Sequence, residues 1–435
     1  MPKKRELPQP EWKNVPGPDS ITRIVMPNGP VLLVFSNFNS PSAYLLGLLD
    51  CGGAADPQDL LGLANFAAAM LSRGTTARAF DDFHRQLEAR GASLNFSCGS
   101  RHTWFRGQSL AEDLDTLFDL ASDALLRPAL ASDYVERTRK QLLAGLAIRE
   151  QDTEENASLL FDEALFQEHP YGQPTDGFMQ TIQAVQRDDL VNFHQAHFKP
   201  QGMLVAVCGA VQPEKVRDLA ERYFGAWQNP DAHALQLPPL PAAPQGIVRR
   251  HRFIPEKSQL DLIMGTFGPN RLSEDFLPAY VGNNILGQFG LMGRIGASVR
   301  VKEGLAYHAG SSLTAWQDSG TWEFTAGLDP RNSEKAITLI RKEIRRFINR
   351  PVTRQELRDA QSHLIGRLPL SLESNAGLAN ALINMERFGL GLDYYQNYPA
   401  MMRGISAEQI LESARRYLHP DQLVIASAGP GEEMT

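Results

Sequence analysis

The sequence predicts an α+β protein made twice over: two homologous halves, each a mainly antiparallel sheet covered by helices. Three observations predict it. The segment 229–246, NPDAHALQLPPLPAAPQG, clusters proline and loses helical periodicity, as an extended linker does between two stretches of roughly 200 residues. Both stretches end on the same plan of capped amphipathic helix, X-Pro stop and buried strand, with Pro200 and Gly209 in the first matched by Pro420 and Gly429 in the second, each pair 220 residues apart. Adjacent strand-like runs are joined by short Gly/Ser/Asp connections, which favour hairpins over βαβ crossovers. The expected division is a domain at 18–228, a linker at 229–246 and a domain at 247–430, each half built from two α/β sub-repeats.

Each half opens with strand-like runs, 31–36 and 43–49 in the first, 247–254 and 259–267 in the second. Helical patterns then start near Asp56-Pro57 and near Ser273, where a capping residue precedes the apolar positions. Two more strand-like runs follow in each half, at 92–98 and 102–108, and at 306–315 and 321–328. Long helical stretches come next at 110–126 and 132–151, then at 334–349 and 354–388, the last with a break expected at Pro369.

The 435 residues are 43% hydrophobic and 21% charged, ordinary for a globular chain. A net charge of −7 leaves no overall basic surface to neutralise a phosphate backbone, so nucleic acid is excluded as a partner. Cys51, Cys98 and Cys208 read as free buried thiols in a reducing compartment. The longest apolar stretch, 60–71, is interrupted by Asn65 and falls short of the ~20 residues that span a bilayer. The amino terminus has basic residues with no apolar run behind them, unlike a signal peptide. The expected location is the cytoplasm, or the periplasm or exterior if a signal has been removed.

Two segments carry chemical suggestion. In 60–75, LLGLANFAAAMLSRGT, the residues Asn65, Ala68 and Ala69 share one face of a helix. In 283–312, NNILGQFGLMGRIGASVRVKEGLAYHAGSS, Gly287, Gly290, Gly293 and Gly296 interrupt an apolar helical pattern, as in a glycine-rich loop with a mobile or closely approached backbone. That segment lacks the lysine and Ser/Thr of a P-loop and has no G-x-G-x-x-G, so nucleotide binding is disfavoured. Arg300 and Tyr307 follow within R-V-K-E-G-L-A-Y, where Lys302 and Glu303 read as surface charges. His194 and His197 have a metal-compatible i, i+3 spacing, but their repeat counterparts are Ala414 and Tyr417, so they read as ordinary helix positions.

The frame G-L-A-x-F-x-x-x-M-L-x-x-G-T resembles the pitrilysin and insulin-degrading-enzyme family of inverted zincins, which includes the mitochondrial processing peptidases. The likeness runs on through RGASLNFSCGSRHTWFRGQSL, with Asn95 at the position of a frequent asparagine, and through FQEHPYGQPTDGFMQTIQAVQRDDLVNFHQAHFKPQGMLVAVCGAV, to cover 20–430. It implies a processing-peptidase-like clamshell. It also implies that Asn65, Ala68 and Ala69 stand where H-x-x-E-H would supply two imidazoles and a general base. Gly145 and Leu146 stand where the third ligand, a glutamate, is expected, and Glu150 lies one turn further on. Alanine offers no lone pair and asparagine is a poor substitute for imidazole at zinc, so this chain is expected to bind no metal or other cofactor and to have no autonomous peptidase activity.

The same resemblance assigns Arg300 and Tyr307 to a pair that faces zinc across a closed chamber and contacts the substrate peptide and the oxyanion. Together these imply a non-catalytic, substrate-binding subunit of a heterodimeric zinc metallopeptidase. Its partner would be a homologous H-x-x-E-H subunit that holds the zinc, and its substrate an unfolded peptide. The alternatives are a structural or assembly core-type subunit and a stand-alone peptide-binding protein without peptidase activity.

Overall fold

The computed structural model describes residues 15–431. A six-stranded sheet holds β1 (Ile21–Val25), β2 (Val31–Ser36), β3 (Ser42–Leu49), β4 (Ser93–Cys98), β5 (Thr103–Leu110) and β6 (Leu204–Gly209) in the order β1-β2-β6-β3-β5-β4. A five-stranded sheet holds β7 (Val248–Phe253), β8 (Leu260–Phe267), β9 (Ala306–Ala315), β10 (Gly320–Leu328) and β11 (Val424–Gly429) in the order β7-β11-β8-β10-β9. With β1 set aside the two orders are the same. Every neighbouring pair is antiparallel except β2 with β6 and β7 with β11, which are parallel and are joined through the helical body of each half.

The first-half helices are α1 (Leu63–Met70), α2 (Phe80–Glu88), α3 (Leu114–Leu126), α4 (Ser132–Arg149), α5 (Thr153–Phe166), α6 (Met179–Ala184), α7 (Arg187–His197) and α8 (Pro213–Phe224). The second half has α9 (Phe276–Asn283), α10 (Phe289–Gly296), α11 (Ser333–Asn349), α12 (Arg354–Ser371), α13 (Asn375–Arg387), α14 (Tyr394–Gly404) and α15 (Ala407–Tyr417). The expected strand runs are present with ends moved by at most two residues, and β1 is an addition.

Two expectations are corrected. Each half forms one sheet and does not divide into two sub-repeats. The break expected at Pro369 falls later, because Pro369 sits inside the last turn of α12, where Leu372 N–H still reaches the carbonyls of Leu368 and Pro369. The chain re-enters helix where Ser374 caps α13, its hydroxyl accepting from Gly377 N–H at 3.1 Å.

The halves exchange a helix. α5 leaves the first half and lies on β7, β11 and β8 of the second sheet, while α13, its counterpart in the repeat, lies on β2, β6 and β3 of the first. Phe161, Leu165 and Phe166 of α5 are buried with Ile263, Val424 and Ala426. Leu378, Leu382 and Met385 of α13 share a core with Leu33, Leu46 and Ala206. Covering both faces explains why β6 reads as an unbroken apolar run, VAVCG, and why β11, VIASAG, departs from one only at the buried Ser427, neither strand alternating. Polar bonds fix the crossing helices: Thr153 Oγ1 donates to Asp261 Oδ2 at 2.5 Å, and Arg23 pairs with Glu386 through two bonds of 2.8 Å. The β4–β5 and β9–β10 turns also meet, with Arg101 and the Tyr171 hydroxyl both donating to Asp318, at 3.1 and 2.8 Å.

Among the described residues no helix is long and apolar enough to cross a membrane. Cys51 and Cys208 are buried, Cys98 is half-buried, and all three are free thiols.

Candidate functional site

α1 begins at Gly62, whose φ of 92° places it in the left-handed region that glycine tolerates. In place of a side-chain N-cap, Asp56 accepts hydrogen bonds from Gly62 and Ala64 N–H, both at 2.8 Å. Burial pushes the Asp56 carboxyl up to about 7, against the pull of these amides. Leu63, Ala64, Phe66, Ala67, Ala68 and Met70 face the core, whereas Asn65 and Ala69 stand half-buried on the open side. Leu146 of α4 is 2% exposed within the same apolar core, and Glu150 points outward.

These positions do not fit a zinc ion. Asn65, Ala68, Ala69 and Leu146 together supply one side-chain oxygen and three hydrocarbon groups, and Ala68 and Leu146 are packed away from any ligand. Among the described residues no group of three or more His, Cys, Asp or Glu side chains is placed to hold a metal. His194 and His197 serve packing: His194 Nε2 lies 2.8 Å from the Leu125 carbonyl oxygen, and the His197 ring lies 4.7 Å from that of Phe193.

Asn65 does line a cavity of about 330 Å³, with Cys98, Arg149, Asp162, Tyr171 and Trp316. Trp316 comes from the β9–β10 turn, so both halves form the wall. A second cavity of about 400 Å³ adjoins it through Glu155 and Ser158 and is lined by Glu323 of β10. Arg149 is committed to an ion pair with Asp176 and to the Gly177 carbonyl. Asp162 and Glu323 are not apparent from sequence motifs. The signal that could have found Asp162 is a carboxylate inside the apolar run of α5, SLLFDEALF.

The glycine-rich segment is helical rather than a loop. α9 runs into a π-helical turn at Asn284–Gln288, α10 follows, and a second π-helical turn spans Ala297–Lys302 before β9. Such turns occur mostly as single interruptions of helices and frequently at functional sites. A Cβ on Gly287 would lie 2.1 Å from Ser311 N, so the first π turn touches β9 backbone to backbone. Gly293 has φ of 65° and its Cβ would lie 2.6 Å from Gly287 N, whereas Gly290, at φ 67°, faces open space. Gly296 has an ordinary helical φ of −60°.

Beneath this segment the buried Asn283 Oδ1 accepts from Ser311 Oγ at 2.6 Å and from Trp322 Nε1 at 3.0 Å. Arg294 and Glu356 form a two-pronged pair at 2.7 and 2.8 Å. Burial pushes Glu356 up, but Arg294 and Thr353 outweigh it and hold the carboxyl at about 2. Arg300 is exposed on the second π turn, and Tyr307 is 72% exposed on edge strand β9. Neither side chain has a hydrogen-bond or ion-pair partner among the described residues. A tight turn links them, with Gly304 at φ 64° and its N–H on the Arg300 carbonyl at 3.1 Å. Glu303 pairs with Lys335 at 2.9 Å.

Residues 33–177 match the family model described as insulinase (peptidase family M16), and residues 184–364 match the one described as peptidase M16 inactive domain. An uncharacterized zinc protease of Mycobacterium leprae is 28% identical over 74% of this chain and 73% of its own length. A Helicobacter pylori protein named non-peptidase homolog YmxG is 26% identical over 86% of each chain. The crystal structure of a peptidase M16 inactive domain from Pseudomonas fluorescens superposes with a TM-score of 0.88 at 24% identity, covering 94% of this chain and 98% of that one. The chain belongs to peptidase family M16, as a member of the inactive type.

Proposed function

We propose that this chain, with domains at 18–228 and 247–430, is the substrate-binding subunit of a heterodimeric zinc metallopeptidase. It completes the active site of an H-x-x-E-H partner with Arg300 and Tyr307. The observation that carries the reading is an asymmetry between the two sites. The α1 site has one metal-ligating atom left, while Arg300 and Tyr307 stand exposed and, among the described residues, unpaired on a frame fixed by Asn283, Arg294 and the close contact at Gly287. A framework this tied down, ending in two free donors, suits groups kept for a ligand from outside the chain.

Zinc in the partner would lower the pKa of its bound water. The residues of this chain would bind and orient. The guanidinium would grip the peptide by its carbonyl oxygens, and the phenol hydroxyl would donate to the oxygen that gains negative charge as the carbonyl carbon turns tetrahedral.

The test is to purify the chain with its H-x-x-E-H partner and assay cleavage of an unfolded peptide. Arg300→Ala and Tyr307→Phe should each lower kcat/KM by about 10²-fold, the loss typical of removing one oxyanion donor, without dissolving the complex. Undiminished activity of the partner alone would overturn the reading, whereas a partner that needs this chain but is indifferent to both substitutions would point to an assembly role.

A further inference from the structure

The contact between α5 and the second sheet contains two carboxyl groups that the proposed function does not use. Phe161 packs against Gly265 of β8, where a Cβ would lie 3.0 Å from the Phe161 ring and 3.1 Å from Glu323 Cα. Glu323 is the residue paired with Gly265 across the β8–β10 ladder. The helix therefore seats itself where the sheet offers no side chain, and this brings Asp162, the next residue, to the region of Glu323. Asp162 faces one cavity and Glu323 the adjoining one, so water can reach both.

Among the described residues no cation neutralises the pair. The charged or titratable groups turned toward Asp162 are Glu155 on its own helix, Arg149 from α4, Tyr171 and Asp176 from the segment after α5, Cys98 from β4 and Glu323 from β10, and those that share the cavity of Glu323 are Asp152, Glu154 and Glu155. Of these only Arg149 is a base, and its guanidinium is taken up by Asp176 and the Gly177 carbonyl. The Asp162 carboxyl has no hydrogen-bond partner among the described residues, and Glu323 has one donor, the Thr321 hydroxyl. Burial pushes both carboxyls up, and the negative charge of Glu323 pushes Asp162 further, to about 8.

We propose that Asp162 and Glu323 form a proton-held latch between the crossing helix and the second sheet. A proton on the pair keeps α5 seated; releasing it to water leaves two like charges across the contact and loosens α5 together with the cavity wall it forms beside Asn65. The repeat supplies an internal control. α13 makes the equivalent crossing onto the first sheet, and its one carboxylate, Glu386, is matched by Arg23.

Hydrogen exchange of the full-length chain, followed by mass spectrometry from pH 5.5 to 9 and corrected for intrinsic rates, tests this. If local opening restores Asp162 to an ordinary carboxyl, the α5 opening constant rises up to about tenfold per pH unit and levels off near pH 8, while that of α13 stays flat. Asp162→Asn removes the rise in α5. Glu323→Gln moves the levelling point to lower pH and serves if Asp162→Asn does not fold. Parallel responses of α5 and α13, an unchanged slope in Asp162→Asn, or an unchanged levelling point in Glu323→Gln would each overturn the proposal.

Discussion

His102, at the entry to β5, shows how burial next to cations sets a proton's fate. The residue is 6% exposed, with its ring centroid 6.0 Å from that of Trp104. Burial first, then the charges of Arg387 and Arg101, push the imidazole down to about 3. Asp50 stands 3.7 Å away but is already engaged by Arg101 at 3.3 Å. An unfolded chain titrates this histidine near 6.5, so above that pH both states are neutral and the full contribution is present. As pH falls from about 6.5 toward 3, only the unfolded state takes the proton, and stability drops by up to about 1.4 kcal/mol per pH unit. The raised carboxyls of Asp56 and Asp162 pull the total the other way in this window, so the slope is read as a difference: the gap in denaturant-unfolding free energy between the unsubstituted chain and His102→Gln, followed from pH 7 to 4, should change by about one proton. At this scale the sequence is legible where a site is contiguous. Asn65, Ala68 and Ala69 sit on one helix, and Arg300 and Tyr307 on one short stretch, so their pattern survives without coordinates. Asp162 and Glu323 come to one region only because α5 lands on β8 beside β10, and nothing local in either segment announces the other.

Among elements, the stretch from α9 to β9 separates what glycine spacing can and cannot tell. The interruptions of the apolar pattern mark a closely approached backbone, and Gly287 against Ser311 is such an approach. The same interruptions look like a loop in sequence, since π-helical turns and a left-handed glycine leave no separate signature from the residues that break a helix. The three glycines are not equivalent, which makes a ranking testable. Gly290→Ala meets open space and should lose about 1 kcal/mol or a little more from its φ of 67° alone. Gly293→Ala adds a clash with the backbone of Gly287, and Gly287→Ala must displace β9 itself, so both should lose more than Gly290→Ala, about 3 kcal/mol or above. Chemical denaturation of the three variants checks the order. Pro369 teaches a related lesson: its missing N–H removes one bond from the last turn of α12 without ending the helix, which runs on to Ser371, and the cap at Ser374 rather than the proline sets where the next helix starts.

On the scale of the whole molecule, the repeat of 220 residues was visible in the chain, and the shared strand order gives it substance. The helix exchange was not visible. Repeat similarity says that α5 and α13 correspond, but an amphipathic helix carries no label for the sheet it will cover. The exchange makes each half the other's missing layer. A fragment of residues 15–228 would expose Leu33, Leu46 and Ala206 on one sheet face and Phe161 and Leu165 on an undocked helix. Expressed alone, each half is expected to aggregate, and co-expressed as separate chains the two should form a soluble 1:1 complex with the circular dichroism of the intact protein. Soluble, monomeric, cooperatively unfolding single halves would contradict this. The proline-rich segment 229–246 then has a role unlike that of a hinge between independent bodies. It adds little to the strength of a contact that two interlocked helices already make. What it supplies is proximity, at an effective concentration in the millimolar range for a short tether, which ensures that a newly made half meets its own complement before that of a neighbouring molecule.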